Sequence, residues 1–371
     1  MNRREFIYLT SFAIAGMALP RWVLAEDEDS IAHIPGLKQI KVINTGASPK
    51  SVEFSPDGSL AYVNNLEDMS AWVMDASSHE VLRTIKYRAT PTVVKLGKKS
   101  YKSHEEKPVE TCFTHGGSRV WRSLHNAHGV TVENSDGTDL TMEFETGRKK
   151  VTLTNSLDGS KKQSSLPFIK TAMTPKILRS TPDGAYVCVA NWHGPSVTVL
   201  DAETGKNYGN IRTGWLPRGI AFTSDSRTGF VCDFGSDNIT YFDVQSAKKI
   251  GVMKSVGKRP RHILMAPDDT FYVSFHGDGY VRRYSAETRE LISEIHVGGQ
   301  VRTIATTPDF NYIFADSFST DRIVLLEAPE LKVIGEVKSS HHPVGAAFNA
   351  KTSELWVVNQ GNAKLRIFKF S

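Results

Sequence analysis

The stretch that decides the fold is TPKILRSTPDGAYVCVANWHGPSVTVLDAETGK, residues 174–206, in which short apolar runs alternate with turn sequences. Each apolar run is too short for a helix, and Pro-Asp-Gly at 182–184 and Glu-Thr-Gly at 203–205 are typical of tight turns. The stretch therefore predicts four short strands joined as an antiparallel meander.

The same unit returns every 42 residues. The residue that closes its second apolar run recurs at this step as Asn191, Asp233, Phe275, Ser317 and Asn359. The residue that opens each copy keeps the step within one residue, as Pro175, Pro217, Pro260, Val301 and Pro343. Four strands in a period of this length predict propeller blades, because one meander cannot bury its own apolar faces.

The two ends of the chain are expected to share one blade. The last copy, from Pro343 to Ser371, has apolar runs for only three strands, and the alternating residues 37–44 would supply the fourth. Such a closure removes exposed sheet edges. We therefore predict an all-β, seven-bladed propeller over residues 37–371, with eight blades as the alternative if Pro91 opens another one.

The segment between Asn65 and Asn191 is three periods long, but only one blade pattern is evident there, beginning at Pro108. The remaining residues are interpreted as insertions. They are expected at about 88–107, which is rich in lysine, at 125–139 between the second and third strands, and at 155–174, which is polar.

Several strand ends carry a shared motif. Tyr62-Val63-Asn64-Asn65, Val189-Ala190-Asn191 and Val357-Val358-Asn359, together with the Pro-Asp-Gly turns, resemble the YVTN-repeat (YncE-like) β-propellers, a WD40/YVTN repeat-like group. The resemblance covers nearly all of the chain after residue 36. It implies a non-catalytic binding or scaffold role, but the fold alone does not specify chemistry.

The first 25 residues resemble a twin-arginine export signal. Arg3-Arg4 precede an apolar run over 7–19, and small residues suited to cleavage end at Ala25. The run is shorter than the roughly 20 residues that cross a bilayer. We expect export to the periplasm, removal of this signal, an acidic leader over 26–36, and no membrane span thereafter. Removing the signal lowers the formal charge from +5 to +3, because it carries three arginines and one glutamate.

Enzyme signatures are missing from the sequence. It has no Gly-x-Ser-x-Gly, His-Glu-x-x-His, Walker or Gly-x-Gly-x-x-Gly pattern, so no catalytic residue is assigned. Cys112, Cys188 and Cys232 lie in strand patterns and are interpreted as small buried residues, with a Cys188–Cys232 disulfide as the alternative.

One face of the predicted propeller collects basic residues. The position after the opening residue is cationic in five blades, as Lys50, Lys176, Arg218, Arg261 and Arg302, and it is Val109 or Val344 in the other two. Loops on the same face carry Trp192, His193, His276, His125 and His128. Clustered cations repel one another, so an anionic ligand on this face is the hypothesis, against a solvated basic rim.

Three functions stay open at this point. The first is a monomeric binding or scaffold protein for an anionic small molecule or protein partner. The second is a cofactor-handling or redox propeller resembling the cytochrome d1-type and amine or quinoprotein dehydrogenase propellers. Its basic residues would hold the carboxylates of a haem-type or quinone cofactor, and a metal would use His125, His128, His193 or His276. The third is single-stranded nucleic-acid binding, for which the small net charge gives little support.

Overall fold

β strands make up the regular structure of this chain. The computed structural model describes residues 36–96 and 98–371, where the only other regular element is a 3-10 turn at His115–Gly117. No helix in those ranges is long and apolar enough to cross a bilayer. The predicted export signal and residues 26–35 of the predicted acidic leader lie outside the described residues.

The first part of the chain forms a closing strand, two blades and a hairpin. The closing strand is β1 (Leu37–Asn44). Blade 1 consists of β2 (Pro49–Phe54), β3 (Leu60–Asn65), β4 (Ser70–Asp75) and β5 (Val81–Tyr87). The hairpin pairs β6 (Pro91–Leu96) with β7 (Lys99–His104). Blade 2 consists of β8 (Pro108–Thr114), β9 (Arg119–Leu124), β10 (Gly129–Asn134) and β12 (Lys161–Lys170), and β11 (Gly147–Asn155) is an additional strand.

The remaining blades follow one another in sequence. Blade 3 consists of β13 (Pro175–Ser180), β14 (Tyr186–Asn191), β15 (Ser196–Asp201) and β16 (Asn207–Arg212). Blade 4 consists of β17 (Pro217–Phe222), β18 (Thr228–Asp233), β19 (Asn238–Asp243) and β20 (Lys248–Met253). Blade 5 consists of β21 (Pro260–Met265), β22 (Thr270–Phe275), β23 (Tyr280–Ser285) and β24 (Leu291–His296). Blade 6 consists of β25 (Val301–Thr306), β26 (Tyr312–Ser317), β27 (Arg322–Glu327) and β28 (Lys332–Lys338). Blade 7 consists of β29 (Pro343–Asn349), β30 (Glu354–Asn359) and β31 (Lys364–Phe370), with β1 on its outer edge.

The first strand of each blade lies innermost and contacts the first strand of the next. These contacts run from β2 through β8, β13, β17, β21 and β25 to β29, which contacts β2 again. The ring is therefore closed and surrounds a central channel. Closure uses both ends of the chain, because β1 pairs antiparallel with β31 from Leu37–Phe370 to Asn44–Lys364. The predicted seven-bladed propeller and its closure are confirmed.

The insertions differ in part from the prediction. The 88–107 segment forms the β6–β7 hairpin, so Pro91 opens a two-stranded hairpin and not an eighth blade. The 125–139 segment is not an insertion, because it contains β10, the third strand of blade 2. The 155–174 segment contains β12, the outer strand of that blade. The inserted residues lie instead between β10 and β12, where β11 pairs with both β12 and β5 and joins blades 1 and 2 into one nine-stranded sheet.

The turns between first and second strands repeat one hydrogen-bonding arrangement. In Pro-Asp-Gly at 182–184, the Asp183 carboxylate accepts from the Ala185 amide at 3.0 Å and from the Thr181 hydroxyl at 2.5 Å. Gly184 has φ 72°, a left-handed conformation that a residue with a Cβ adopts only with strain. The turn sequence thus dictates where each innermost strand ends.

Apolar side chains fill the space between adjacent blades. Between blades 2 and 3, for example, the fully buried Trp121 packs in one cluster with Cys112, Leu178 and Val187. Cys112, Cys188 and Cys232 are all buried free thiols, as the sequence predicts, and no disulfide joins the latter two. Burial of such side chains against the neighbouring blade supplies most of the stabilisation of a propeller.

Candidate functional site

Five cationic side chains meet at one mouth of the central channel, and we refer to them as the cation ring. They are Lys50, Lys176, Arg218, Arg261 and Arg302. Each follows the first residue of an innermost strand, so the closed ring of innermost strands brings them together around one axis. Arg218 and Arg261 are only 4% and 6% exposed, which excludes a solvated rim at these two positions.

The cation ring lacks ion-pair partners among the described residues. No side chain of the ring forms a salt bridge with a described carboxylate or donates a hydrogen bond to a described group, and Arg302 Nε is buried without a partner. Aromatic faces lie beside the charges instead. Lys176 Nζ is 3.9 Å from the ring centroid of Trp192, and Arg302 Cζ is 3.2 Å from that of Phe318.

Burial and mutual repulsion both oppose charge in this ring. Burial lowers the pKa of Lys50 and of Lys176 well below the ordinary lysine value, and the charge of Arg218 lowers both further. Two carboxyl groups lie nearby, and burial raises the pKa of Glu110 and of Asp316 to about 7 in each case. Partial protonation of these carboxyls near neutral pH removes negative charge that would otherwise offset the cations of the mouth.

A set of aromatic residues surrounds the cation ring, and we refer to it as the aromatic set. Its members each follow the last residue of a second strand: His125, Trp192, Phe234, His276 and Phe318. The ring centroids of Trp192 and Phe234 are 5.2 Å apart, and those of Phe234 and His276 are 5.5 Å apart. Flat apolar faces therefore adjoin the positive charges.

Two histidines of the aromatic set are neutral near the cations. Burial lowers the pKa of His125 and of His276 to about 3, with further lowering by Lys176 and Arg261 respectively. His125 Nδ1 lies 2.7 Å from Asn126 Oδ1, whereas His276 Nδ1 is buried without a hydrogen-bond partner in the described chain. His276 thus offers an unused ring nitrogen at the channel mouth.

The other two predicted histidines lie together at a neighbouring loop. Thr174 donates its amide to His128 Nδ1 at 3.0 Å, and its hydroxyl lies 3.1 Å from His193 Nδ1. Among residues 36–96 and 98–371, no three His, Cys, Asp or Glu side chains form a cluster that could hold a metal ion. The candidates His125, His128, His193 and His276 therefore do not belong to a three-residue cluster of this kind, and a single histidine of this face as a ligand of iron stays a prediction.

The channel narrows at the inner side of the cation ring. This neck has a volume of about 20 Å³ and is lined by Glu53, Glu110, Arg179 and His262 together with Arg218, Arg261 and Arg302 of the ring. That volume is close to what one water molecule needs. Only a small group can enter between the two mouths.

Sequence reasoning missed several residues of this region. Phe318 lies 42 residues after His276, so the repeat itself could have identified it. Glu110, Arg179 and Asp316 are charged residues inside otherwise apolar strands, and this pattern could have indicated buried charged groups beside the channel. Their position toward the channel depends on which strand is innermost.

The chain resembles known proteins in sequence and in fold, although no family model matches it. It is 24% identical over 303 residues to antigen Lp49 of Leptospira interrogans serogroup Icterohaemorrhagiae serovar copenhageni (strain Fiocruz L1-130). That alignment covers 79% of this chain and 57% of the antigen, so the chain spans little more than half the length of that relative.

A structural likeness extends over most of the chain. A chain of Kuenenia stuttgartiensis hydrazine synthase superimposes with a TM-score of 0.66 at 14% identity, covering 89% of this chain and 97% of the other. At that identity the likeness concerns the fold alone. The chain is accordingly a seven-bladed β-propeller with a partly buried cation ring at one mouth of its channel.

Proposed function

We propose that this protein is a non-catalytic binding or scaffold protein whose cation ring takes up an anionic group of a small-molecule ligand or protein partner. The observation that carries the proposal is the meeting of five cations at one mouth without an ion-pair partner in the described chain, with Arg218 and Arg261 buried and the other three half-buried. Unpaired buried charges are costly, and low-dielectric channel walls strengthen their field. A bound anion would offset both the desolvation and the repulsion.

The narrow neck limits what the ring can receive. Because the neck of about 20 Å³ has room for about one water molecule, a ligand cannot pass through it and must reach the ring from the open face, with its anionic group foremost. The rest of the ligand would lie on the face, against Trp192 and Phe234 of the aromatic set. The ligand class is therefore an anionic group at the end of a larger molecule or an acidic side chain of a partner.

Calorimetric titration with sulfate and with citrate at low salt tests the proposal. Arg218→Gln should weaken binding of both anions at least fivefold, since a charge-assisted hydrogen bond contributes about 1 kcal/mol or more. Arg227→Gln is the matched control, because it removes the same charge from the same blade in an exposed turn. Absence of binding to the unaltered protein, or equal losses in both variants, would refute an anion site at the cation ring.

The aromatic set favours a second candidate, the handling of a planar cofactor. The cation ring would hold the carboxylates of a haem-type or quinone cofactor, Trp192 and Phe234 would contact its plane, and the unpartnered Nδ1 of His276 could ligate iron. Such a cofactor would supply electron transfer. Added haem should then give a shifted Soret band that Arg261→Gln and His276→Ala reduce, and an unshifted spectrum would exclude this candidate for haem.

We also propose that the protein is exported to the periplasm. The support is the Arg3-Arg4 pattern and the apolar run that follows it, both outside the described residues. Export in the folded state would be compatible with a propeller that uses both ends of its chain for closure.

A further inference from the structure

The opposite mouth of the channel is a funnel formed by the turns between first and second strands. One cavity of about 840 Å³ is lined by Phe113, Phe222 and Met265, among others. An adjacent cavity of about 430 Å³ is lined on the other side by Phe54 and Phe348. Arg179 lines both cavities and also the neck between the two mouths, so it lies where the funnel converges.

Arg179 is a cation without an ion pair in the described chain. Its only side-chain hydrogen bond to a described group goes from Nη1 to the Leu178 carbonyl at 3.2 Å. Burial lowers the pKa of Arg179, but the nearby Glu53 and Glu110 raise it above the ordinary value overall, so the guanidinium stays charged. Most of its five N–H donors are therefore available to a bound group.

The funnel walls above Arg179 carry both apolar and polar surface, and the apolar part lies along the innermost strands. Leu264 and Met265 are half-buried at the end of β21, which leaves apolar side-chain surface facing the cavity. Polar residues, including Asp183 and Asp57, occur in the turns at the rim. Glu53 and Glu110 lie near Arg179 at the base but form no ion pair with it. A cavity with apolar surface and a cationic group at its base suits a small amphiphile, and about 840 Å³ lies within the usual range of 300–1,000 Å³ for ligand pockets.

We propose that this funnel is a second binding site, for a monocarboxylate with an apolar body, such as a medium-chain fatty acid. The carboxylate pairs with the Arg179 guanidinium, which matches its two oxygens, and the chain lies along Phe222, Leu264 and Met265. The neck of about 20 Å³ separates this site from the cation ring. The inference therefore goes beyond the function proposed above and does not depend on it.

Decanoate is the probe, with 1-decanol as its uncharged counterpart, both titrated by calorimetry. The unaltered protein should bind decanoate at least tenfold more tightly than decanol. Arg179→Gln should abolish that preference, and Arg179→Lys should retain part of it because the charge remains. Met265→Glu should also weaken decanoate binding, since it places a second carboxylate on the funnel wall.

Arg218→Gln separates the two sites. This variant should lose affinity for sulfate and keep its affinity for decanoate. Arg179→Gln should lose affinity for decanoate and keep its affinity for sulfate. The inference is overturned if decanoate does not bind, if decanol binds as tightly, or if sulfate displaces decanoate. It is also overturned if folded Met265→Glu binds decanoate unchanged, which decides the matter even where Arg179→Gln fails to fold.

Discussion

Two buried arginines of this propeller have opposite electrostatic surroundings. Arg122 donates to Glu133 Oε1 and Asn64 Oδ1, each at 2.9 Å, and to the Tyr87 hydroxyl at 3.1 Å. Arg122 and Glu133 are 1% and 3% exposed, so this is a fully buried ion pair. Arg218 is about as buried but has no such partner. The first arginine is architectural, and the second is available to a ligand.

Substituting these two arginines should change stability in different directions. Arg122→Gln should lower the free energy of unfolding by about 3–5 kcal/mol, because it leaves Glu133 buried without its partner. Arg218→Gln should be neutral or slightly stabilising without ligand, because it removes one of several repelling cations. Urea unfolding at low salt measures both. A large destabilisation by Arg218→Gln would show that this residue is structural.

Anion binding should strengthen as the pH falls from 8 to 6. The pKa of Glu110 and of Asp316 is about 7, so both carboxyls lose negative charge in this range. Lys50 and Lys176, whose pKa values burial lowers, can only gain positive charge as the pH falls. Histidines with a pKa of about 3 contribute nothing here. Sulfate remains a dianion throughout and is the suitable probe.

Glu110→Gln provides the control for this pH dependence. It should raise sulfate affinity at pH 8 and flatten the change between pH 8 and pH 6. Sulfate binding that strengthens with rising pH would contradict the assignment.

The raised pKa of Glu110 also affects folding without ligand. The contribution of Glu110 to the free energy of unfolding is present below its ordinary pKa of 4.5 and is lost as the pH rises through its pKa of about 7 in the folded protein.

At the scale of elements, β1 holds the ring closed. It pairs with β31 over its length, and its buried Leu37 packs in the cluster between blades 6 and 7. Without β1, β31 would become an exposed edge. The hairpin β6–β7 is different, because it pairs only with itself and its base is joined by a Glu105–Thr90 backbone hydrogen bond of 3.0 Å.

Deleting residues 37–44 should therefore abolish cooperative unfolding or lower the melting temperature strongly. Replacing residues 92–103 by two glycines is the matched deletion, and it should change the melting temperature little because it spares every blade. Differential scanning calorimetry of the chain without residues 1–25, with and without each deletion, measures this. Equal melting of that chain with and without residues 37–44 would mean that closure by β1 is dispensable.

At the scale of the whole molecule, closure bears on the proposed export. Blade 7 is complete only when β1 pairs with β31, so the ring can finish folding only after β31 has been synthesised. Replacing Arg3 and Arg4 together by lysine should leave precursor in the cytoplasm if the twin-arginine route carries the folded protein. Fractionation with detection of the uncleaved chain measures this, and unchanged arrival in the periplasm would indicate the general secretory route.

The sequence by itself determined the blades and the position of the cation ring. Strand boundaries follow from local signals, namely short apolar runs and Pro-Asp-Gly turns, and these recur every 42 residues. Because every blade repeats the same strand order, the second residue of each innermost strand lies at the same mouth of the channel. Lys50 and Arg302 could therefore be placed together although they are far apart in the chain.

Only the tertiary structure decided the course of residues 135–170 and which of the charged side chains at the channel are buried without an ion-pair partner. The strand β11 lies between β5 and β12, and its place depends on two strand edges that exist only after blades 1 and 2 have folded. Likewise, the lack of an ion pair at Arg218 and the approach of Arg179 to the opposite funnel depend on burial and distance across the channel. Local sequence patterns specify strands and turns, whereas non-local pairing and desolvation are properties of the closed ring.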